Sequence, residues 1–314
     1  MTKAFVFPGQ GAQFIGMGQE VAQAYPAARQ VFEEVDDALD TPLSPLIWTG
    51  EIEALTLTRN AQPALMATSI AVLRALEAEG LDVARDGAFV AGHSLGEYTA
   101  LVAAGSLTVA DAAKLLRIRG EAMQSAVPEG VGAMAALLGL DFATAQSVAE
   151  AAAQGQVCQA ANDNDPAQVV ISGHKDAVER GIALAKDRGA KRALLLPVSA
   201  PFHCALMAPA AKAMAQALDQ VDLADPKVPV VANVTATPQS DATQIRALLV
   251  DQVTGSVRWR ESVAAMGAAG VTEVWEIGAG KALSGMIRRI DRAMTTRAIG
   301  TPGEVADAIA SLST

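Results

Sequence analysis

Residues 88–104 read Ala88-Phe89-Val90-Ala91-Gly92-His93-Ser94-Leu95-Gly96-Glu97-Tyr98-Thr99-Ala100-Leu101-Val102-Ala103-Ala104. The short apolar run 88–92 predicts a buried strand, and the small-residue stretch 95–104 predicts a helix. Between them stands G-x-S-x-G, with Gly92 and Gly96 flanking Ser94. Strand, sharp turn and helix are the setting in which this spacing makes a nucleophile elbow. The glycines let the chain reverse without a side-chain clash. The serine hydroxyl is then held at the sheet edge beside a helix N-terminus, where the Leu95 amide can face an oxyanion. A serine N-cap in a glycine-rich turn is the plainer alternative. The flanking strand and helix favour the nucleophile.

Working outward, residues 4–7 predict a strand closed by Pro8-Gly9, and 18–39 and 61–79 predict helices. Pro63 is tolerable only near the start of the second. Thr108 with Asp111 forms a capping arrangement for a helix that ends before Pro128. Residues 133–138, 156–162, 168–172 and 192–197 predict strands, with helices at 141–153 and 176–188. That order, β-α-β-β-α-β, fits a ferredoxin-like unit inserted between two parts of a larger domain. Beyond it come helix 207–220, strand 228–233, helices 245–252 and 262–269, strand 273–277, and a helix from Ala282 after Gly278-Ala279-Gly280. Short apolar strands alternating with helices predict an α/β fold with a mostly parallel sheet covered on both faces. The expected division is a discontinuous core, 1–127 and 198–314, with a subdomain at 128–197.

The chain has 314 residues, half of them apolar, and a formal net charge of −10. Such an acidic balance argues against broad nucleic-acid binding, which needs a basic surface. A local basic pocket can still hold an anion. No apolar run reaches the roughly 18 residues that span a bilayer. The residues after Met1 lack the apolar stretch of a signal peptide, so a cytoplasmic protein is expected. Two cysteines, Cys158 and Cys204, argue against a disulfide scaffold or a cysteine zinc site.

A serine nucleophile needs a base, usually histidine. There are three candidates, His93, His174 and His203. His93 adjoins the serine and should point away from it, and His174 follows Ser172-Gly173 in an expected surface turn. His203 remains, in a loop returning from the small segment, where triad partners commonly lie. A packed loop histidine is the bland alternative. No acid announces itself as a third member, and a backbone carbonyl could orient the imidazole instead. Cys204 is read as a packing residue.

Arg119 is out of place. The stripe Ala112, Leu115, Leu116, Arg119, Met123 is otherwise apolar, whereas Lys114, Arg117 and Glu121 mark the opposite face. A guanidinium there must be paired by a distant acid, must snorkel, or must await a ligand. Its planar fork suits a carboxylate. The entry loop Phe7-Pro8-Gly9-Gln10-Gly11-Ala12-Gln13 is no dinucleotide fingerprint, since Phe14 stands where a third glycine would fall, and it has no Walker lysine. Its glycines permit close backbone approach, and Gln10 offers an amide; a plain tight turn is the alternative.

Taken together, these motifs resemble the malonyl-CoA:acyl carrier protein transacylases and, more widely, the acyltransferase domains of fatty acid and polyketide synthases. The matching pieces are the Phe7–Gln13 loop, Gly92-His93-Ser94-Leu95-Gly96-Glu97, Arg119-Gly120 with Met123-Gln124, Ala161-Asn162 with Val169-Val170-Ile171-Ser172-Gly173, Pro201-Phe202-His203, and Glu276-Ile277-Gly278-Ala279-Gly280-Lys281. The resemblance implies an α/β-hydrolase-like core with a ferredoxin-like subdomain, and ping-pong transfer of malonyl from malonyl-CoA to acyl carrier protein. It implies Ser94 as nucleophile, His203 as base, Arg119 as grip on the malonyl carboxylate, and Gln10 with Leu95 as oxyanion hole. Gln252 matches the position whose carbonyl orients the histidine, although the following Thr254-Gly255-Ser256 departs from the usual wording. Met123, Asn162 and Phe202 would line the pocket. The resemblance implies no cofactor, CoA thioester being a substrate, and a monomer.

A thioesterase or esterase of the same fold is the nearest rival, and a non-catalytic docking subunit the more distant one. Docking of an acidic carrier would need a basic patch, for which Arg288-Arg289 with Arg292, and the segment 186–192, are candidates or merely solvated helix faces. Phe202 stands where bacterial relatives often have serine. A bulky ring beside the α-carbon of the acyl group should exclude a methyl branch. Malonyl-CoA is therefore expected to turn over faster than methylmalonyl-CoA, and equal rates for the two esters would contradict this reading.

Overall fold

A computed structural model of the chain describes residues 2–312, so that the outermost residues of the expected core segments, Met1, Ser313 and Thr314, lie outside it. The strands are β1 (Lys3–Phe7), β2 (Gly87–Gly92), β3 (Gly132–Leu138), β4 (Cys158–Asp165), β5 (Gln168–His174), β6 (Arg192–Leu195), β7 (Val230–Val231), β8 (Pro238–Gln239), β9 (Glu273–Ile277) and β10 (Thr295–Ile299). They form two sheets, ordered β10-β9-β1-β2-β7-β8 and β4-β5-β3-β6. The larger is parallel from β10 to β7, with β8 antiparallel at its edge. The smaller is antiparallel, with β3 pairing β5 and β6, and β4 pairing β5. This is the α/β fold expected from the sequence, and the small sheet has the strand order of a ferredoxin-like unit.

β1 shows why the central strands are apolar throughout. Its residues alternate between faces, Phe5 and Phe7 entering one core and Ala4 and Val6 another. The small sheet divides its faces differently. Ala135, Leu137, Val169 and Ile171 pack under its own helices, Phe142–Ala153 and Lys175–Asp187. Met134, Ala136 and Val170 face the main core. The small sheet thereby forms one wall of a cleft over the carboxyl ends of β1 and β2.

Several elements differ from expectation. The helix expected at 18–39 is two, Gln19–Ala24 and Pro26–Ala38, because Pro26 holds the preceding Tyr25 extended, at φ −122° and ψ 116°. The helix carrying Pro63 starts at Thr58, which puts the proline in its interior. β4 starts later and runs on to Asp165, burying Asn162, Asp163, Asn164 and Asp165. These polar groups have partners. The Asp163 carboxylate accepts from Arg260 and the Asp165 carboxylate from Arg289, each at 2.8 Å. Arg289, a candidate for a docking patch, thus ties the main core to β4, and Arg288 donates to Thr296 Oγ1 at 2.8 Å. The short helices Ser44–Thr49 and Ile52–Thr56, β10 and the helix Pro302–Ala310 were not expected. That last helix had a legible signal, the capping box Thr301-x-x-Glu304 with proline at its first turn. The expected caps at Thr108 and Asp141 are present.

The elbow after β2 depends on missing side chains. A Cβ on Gly92 would stand 1.9 Å from the carbonyl of Gly96, and one on Gly96 would stand 2.4 Å from the Phe7 oxygen. Both obstacles are backbone. Gly92→Ala is expected to cost about 3 kcal/mol of stability, at the upper end for overpacking. An unchanged urea midpoint would show that the turn has room to relax.

Candidate active site

Ser94 sits between β2 and the helix Gly96–Ala103, with a left-handed φ of 54°. That conformation is uncommon for a non-glycine residue and must be held by its surroundings. Asn233 holds it from one side. Its Oδ1 accepts from the Ser94 N–H at 2.7 Å, and its Nδ2 donates to the Gly92 carbonyl at 2.7 Å. Gln252 holds it from the other, its Nε2 donating to the Ser94 carbonyl at 3.0 Å.

The Ser94 hydroxyl lies 2.8 Å from His203 Nε2, and His203 Nδ1 lies 2.9 Å from the Gln252 carbonyl. A carbonyl only accepts, so Nδ1 carries the proton and Nε2 is left to accept from the serine. His203 is also left-handed, at φ 58°. Both partners of the pair are therefore in strained backbone. Burial, reinforced by the Arg119 charge, pulls the imidazole pKa down to about 3.

Arg119 is 1% exposed. Its Nη2 donates to Ser94 Oγ at 3.1 Å and to Gln252 Oε1 at 2.8 Å, and its Nη1 donates to Gln62 Oε1 at 2.7 Å. Its Nε has no partner. Among the described residues no carboxylate forms an ion pair with it. The guanidinium, flanked by the Tyr98 ring with centres 5.7 Å apart, is held by neutral amides and aimed at the serine. Of the options left open by the sequence, neither a pairing acid among the described residues nor a head reaching solvent is present.

Gln10 and Leu95 line the cleft beside Ser94. Gln10 Nε2 is tied to Thr58 Oγ1 at 3.1 Å. Neither residue's backbone N–H donates to a protein acceptor among the described residues, so both remain available. Gly9 lets the entry loop approach, since a Cβ there would lie 2.6 Å from the His93 oxygen. The cleft encloses ≈ 410 Å³ and is lined further by Met123, Met134, Asn162, Leu196 and Phe202. All nine residues singled out in the sequence come together here or, for Gln252, immediately behind it. His93 turns to Asn164, with Nε2 and Oδ1 2.8 Å apart. His174 ends β5 and accepts at Nδ1 from the Val157 N–H at 3.0 Å, so it belongs to the small sheet rather than to a surface turn. Cys204 is buried, donating to the Pro201 carbonyl. Among the described residues no His, Cys, Asp or Glu cluster could hold a metal ion, and no helix is long and apolar enough to cross a membrane.

Sequence reasoning missed Gln62, Glu97, Asn164 and Asn233. Gln62 had a signal. It is a polar residue at helical spacing from the apolar Leu65, Met66, Ile70 and Leu73, the same kind of anomaly that exposed Arg119.

A parallel sheet with a serine elbow under a histidine and an arginine is the setting of an acyl-transfer enzyme, and residues 4–294 match the acyl transferase domain family. Three relatives narrow this. The malonyl CoA-acyl carrier protein transacylase of Bacillus subtilis is 48% identical over 310 residues, 98% of this chain and 96% of its own. The crystal structure of acyl-carrier-protein-S-malonyltransferase from Bartonella henselae superposes with a TM-score of 0.98 at 54% identity, covering 100% of both chains. A malonyl-transacylase solved in complex with its type II PKS acyl-carrier protein superposes with a TM-score of 0.96 at 42% identity, covering 99% of this chain and 100% of that one. The chain belongs to the malonyl CoA-acyl carrier protein transacylase family.

The imidazole offers a direct check. By ¹⁵N NMR, His203 is expected to stay neutral at pH 5 with its proton on Nδ1, and Arg119→Gln should raise its pKa by removing a nearby positive charge. Titration near the ordinary value of about 6.5 in both proteins would contradict the geometry.

Proposed function

We propose that this protein transfers malonyl from malonyl-CoA to the phosphopantetheine thiol of acyl carrier protein through an ester on Ser94. The observation that carries the reading is Arg119, a buried guanidinium without an acid partner whose Nη2 is 3.1 Å from the nucleophilic oxygen. A carboxylate bound there would place the far end of a short dicarboxylic acyl group beside the serine. Arg119 can release neutral amides to take it, because a carboxylate offers two charged acceptors in the plane that matches the guanidinium fork.

His203 Nε2 takes the Ser94 proton as Oγ attacks the thioester carbon. The N–H groups of Gln10 and Leu95 then hold the oxyanion, and removal of one such donor typically costs about 10²–10³ in rate. The carbon–sulfur bond breaks, the imidazolium returns its proton to the CoA thiolate, and CoA leaves. The carrier thiol repeats the sequence in reverse roles: it gives its proton to His203, attacks the ester carbon, and Ser94 Oγ recovers the proton. The low pKa of His203 keeps it neutral, and so able to accept, across the physiological range. Gln252 acts through its carbonyl to fix the tautomer. Met123, Asn162 and Phe202 shape the space for the acyl chain, and Phe202 supports a preference for an unbranched α-carbon.

The same reading carries several coarser proposals: a monomeric, cytoplasmic enzyme without a cofactor, in which residues 128–197 form a subdomain closing over a discontinuous core. Intact-mass spectrometry after brief mixing with malonyl-CoA tests the chemistry. A malonyl adduct is expected on the wild type, none on Ser94→Ala, and a switch toward acetyl in Arg119→Ala. An adduct surviving Ser94→Ala would overturn the assignment.

A further inference from the structure

Glu97 is 1% exposed and forms no ion pair among the described residues. It lies on the helix Gly96–Ala103, one turn from the elbow. Its Oε2 accepts two hydrogen bonds, from Gln252 Nε2 at 2.8 Å and from the Asn233 backbone N–H at 3.1 Å. These are the residues that grip Ser94 from its two sides. One of them, Gln252, also supplies the carbonyl under His203 and the amide oxygen under Arg119. Nucleophile, base and carboxylate clamp are thus joined at one oxygen behind the cleft, an atom that touches none of the reacting groups.

We propose that Glu97 is a positioning residue: its carboxylate oxygen anchors Gln252 and Asn233 together, and through them fixes the strained elbow, the imidazole and the aim of Arg119. The chemistry of the partners supports this. A glutamine amide offers donors at one end and an acceptor at the other. Turned over, Gln252 would set its NH₂ against the Arg119 donors and its oxygen against the Ser94 carbonyl. Glu97 adds an acceptor on the side where the NH₂ must stay, and joins that amide to the strand-end backbone at Asn233. The charged and titratable groups that face it are Arg119, from the helix Val109–Ser125, and Tyr98, on its own helix. Burial pushes the Glu97 pKa up to about 7, while the bonds from Gln252 and Asn233 and the Arg119 charge act against that rise. Acceptor geometry, rather than charge, is what Glu97 contributes. The inference rests on the acyl-transfer reading of the site.

Glu97→Met keeps length and volume but removes the acceptor, Glu97→Asp withdraws it by one methylene, and Glu97→Gln restores it in place. Each is compared with wild type by thermal unfolding, by rapid-quench formation of the malonyl and acetyl adducts, and by the His203 ¹⁵N signals. Glu97→Met and Glu97→Asp, either alone sufficing if only one folds, are expected to lose about a hundredfold in acylation rate, the scale set by ångström misplacement. They should also narrow the malonyl-over-acetyl preference and weaken the Nδ1–H bond of His203. Glu97→Gln should keep most of the wild-type rate and preference. Folded Glu97→Met or Glu97→Asp with wild-type acylation would overturn the proposal, as would a Glu97→Gln as slow as they are. Failure of the wild type itself to form an adduct would instead indict the acyl-transfer reading.

Discussion

The α-carbon of Gly92 lies so close to the Gly96 carbonyl that no side chain fits between them. This approach makes a tight turn between β2 and the helix Gly96–Ala103, in which Ser94 takes left-handed backbone. The entry loop can then lie on Gly96, which brings Gln10 to the serine. The strain of such a residue is of order 1–3 kcal/mol, and it persists only where the surroundings over-determine it. Here Asn233 and Gln252 do so, by bonding the peptide groups on either side of Ser94.

Around Ser94, buried charge is handled without ion pairs among the described residues. Arg119, Glu97 and His203 are buried together, yet they are linked through Gln252, and Arg119 is held further by the neutral amide of Gln62. An arginine satisfied by a carboxylate would be closed to a carboxylate ligand. One satisfied by amides keeps its net charge available in a medium where that charge acts strongly. The same positive charge, added to burial, holds His203 neutral. A triad acid beside His203 would oppose this, and the Gln252 carbonyl fixes the tautomer without adding charge.

The legible parts of the molecule were those with a local physical cause. The order of the small sheet followed from apolar runs and the Asp141 cap, and β1, β2 and β9 from short buried strands between turns. Ser94 was marked by its glycines, Arg119 by sitting on an apolar stripe, and His203 by elimination. What the sequence hid depends on distant partners. The polar residues Asp163 to Asp165 fall beyond the expected strand 156–162, and continue it as a buried strand because Arg260, Arg289 and His93 meet them from far along the chain. Glu97 and Asn233 likewise acquire meaning only from their mutual bond, across 136 positions.

An acyl group on Ser94 should be destined for a thiol and not for water. The direct test is to isolate the malonyl-enzyme free of malonyl-CoA and divide it between buffer and buffer containing acyl carrier protein bearing its phosphopantetheine arm. A slowly hydrolysing ester is expected in buffer, and rapid appearance of malonyl on the carrier thiol in the other portion. Release of free malonate at the same rate in both portions, with the carrier unmodified, would contradict it and make the protein a hydrolase.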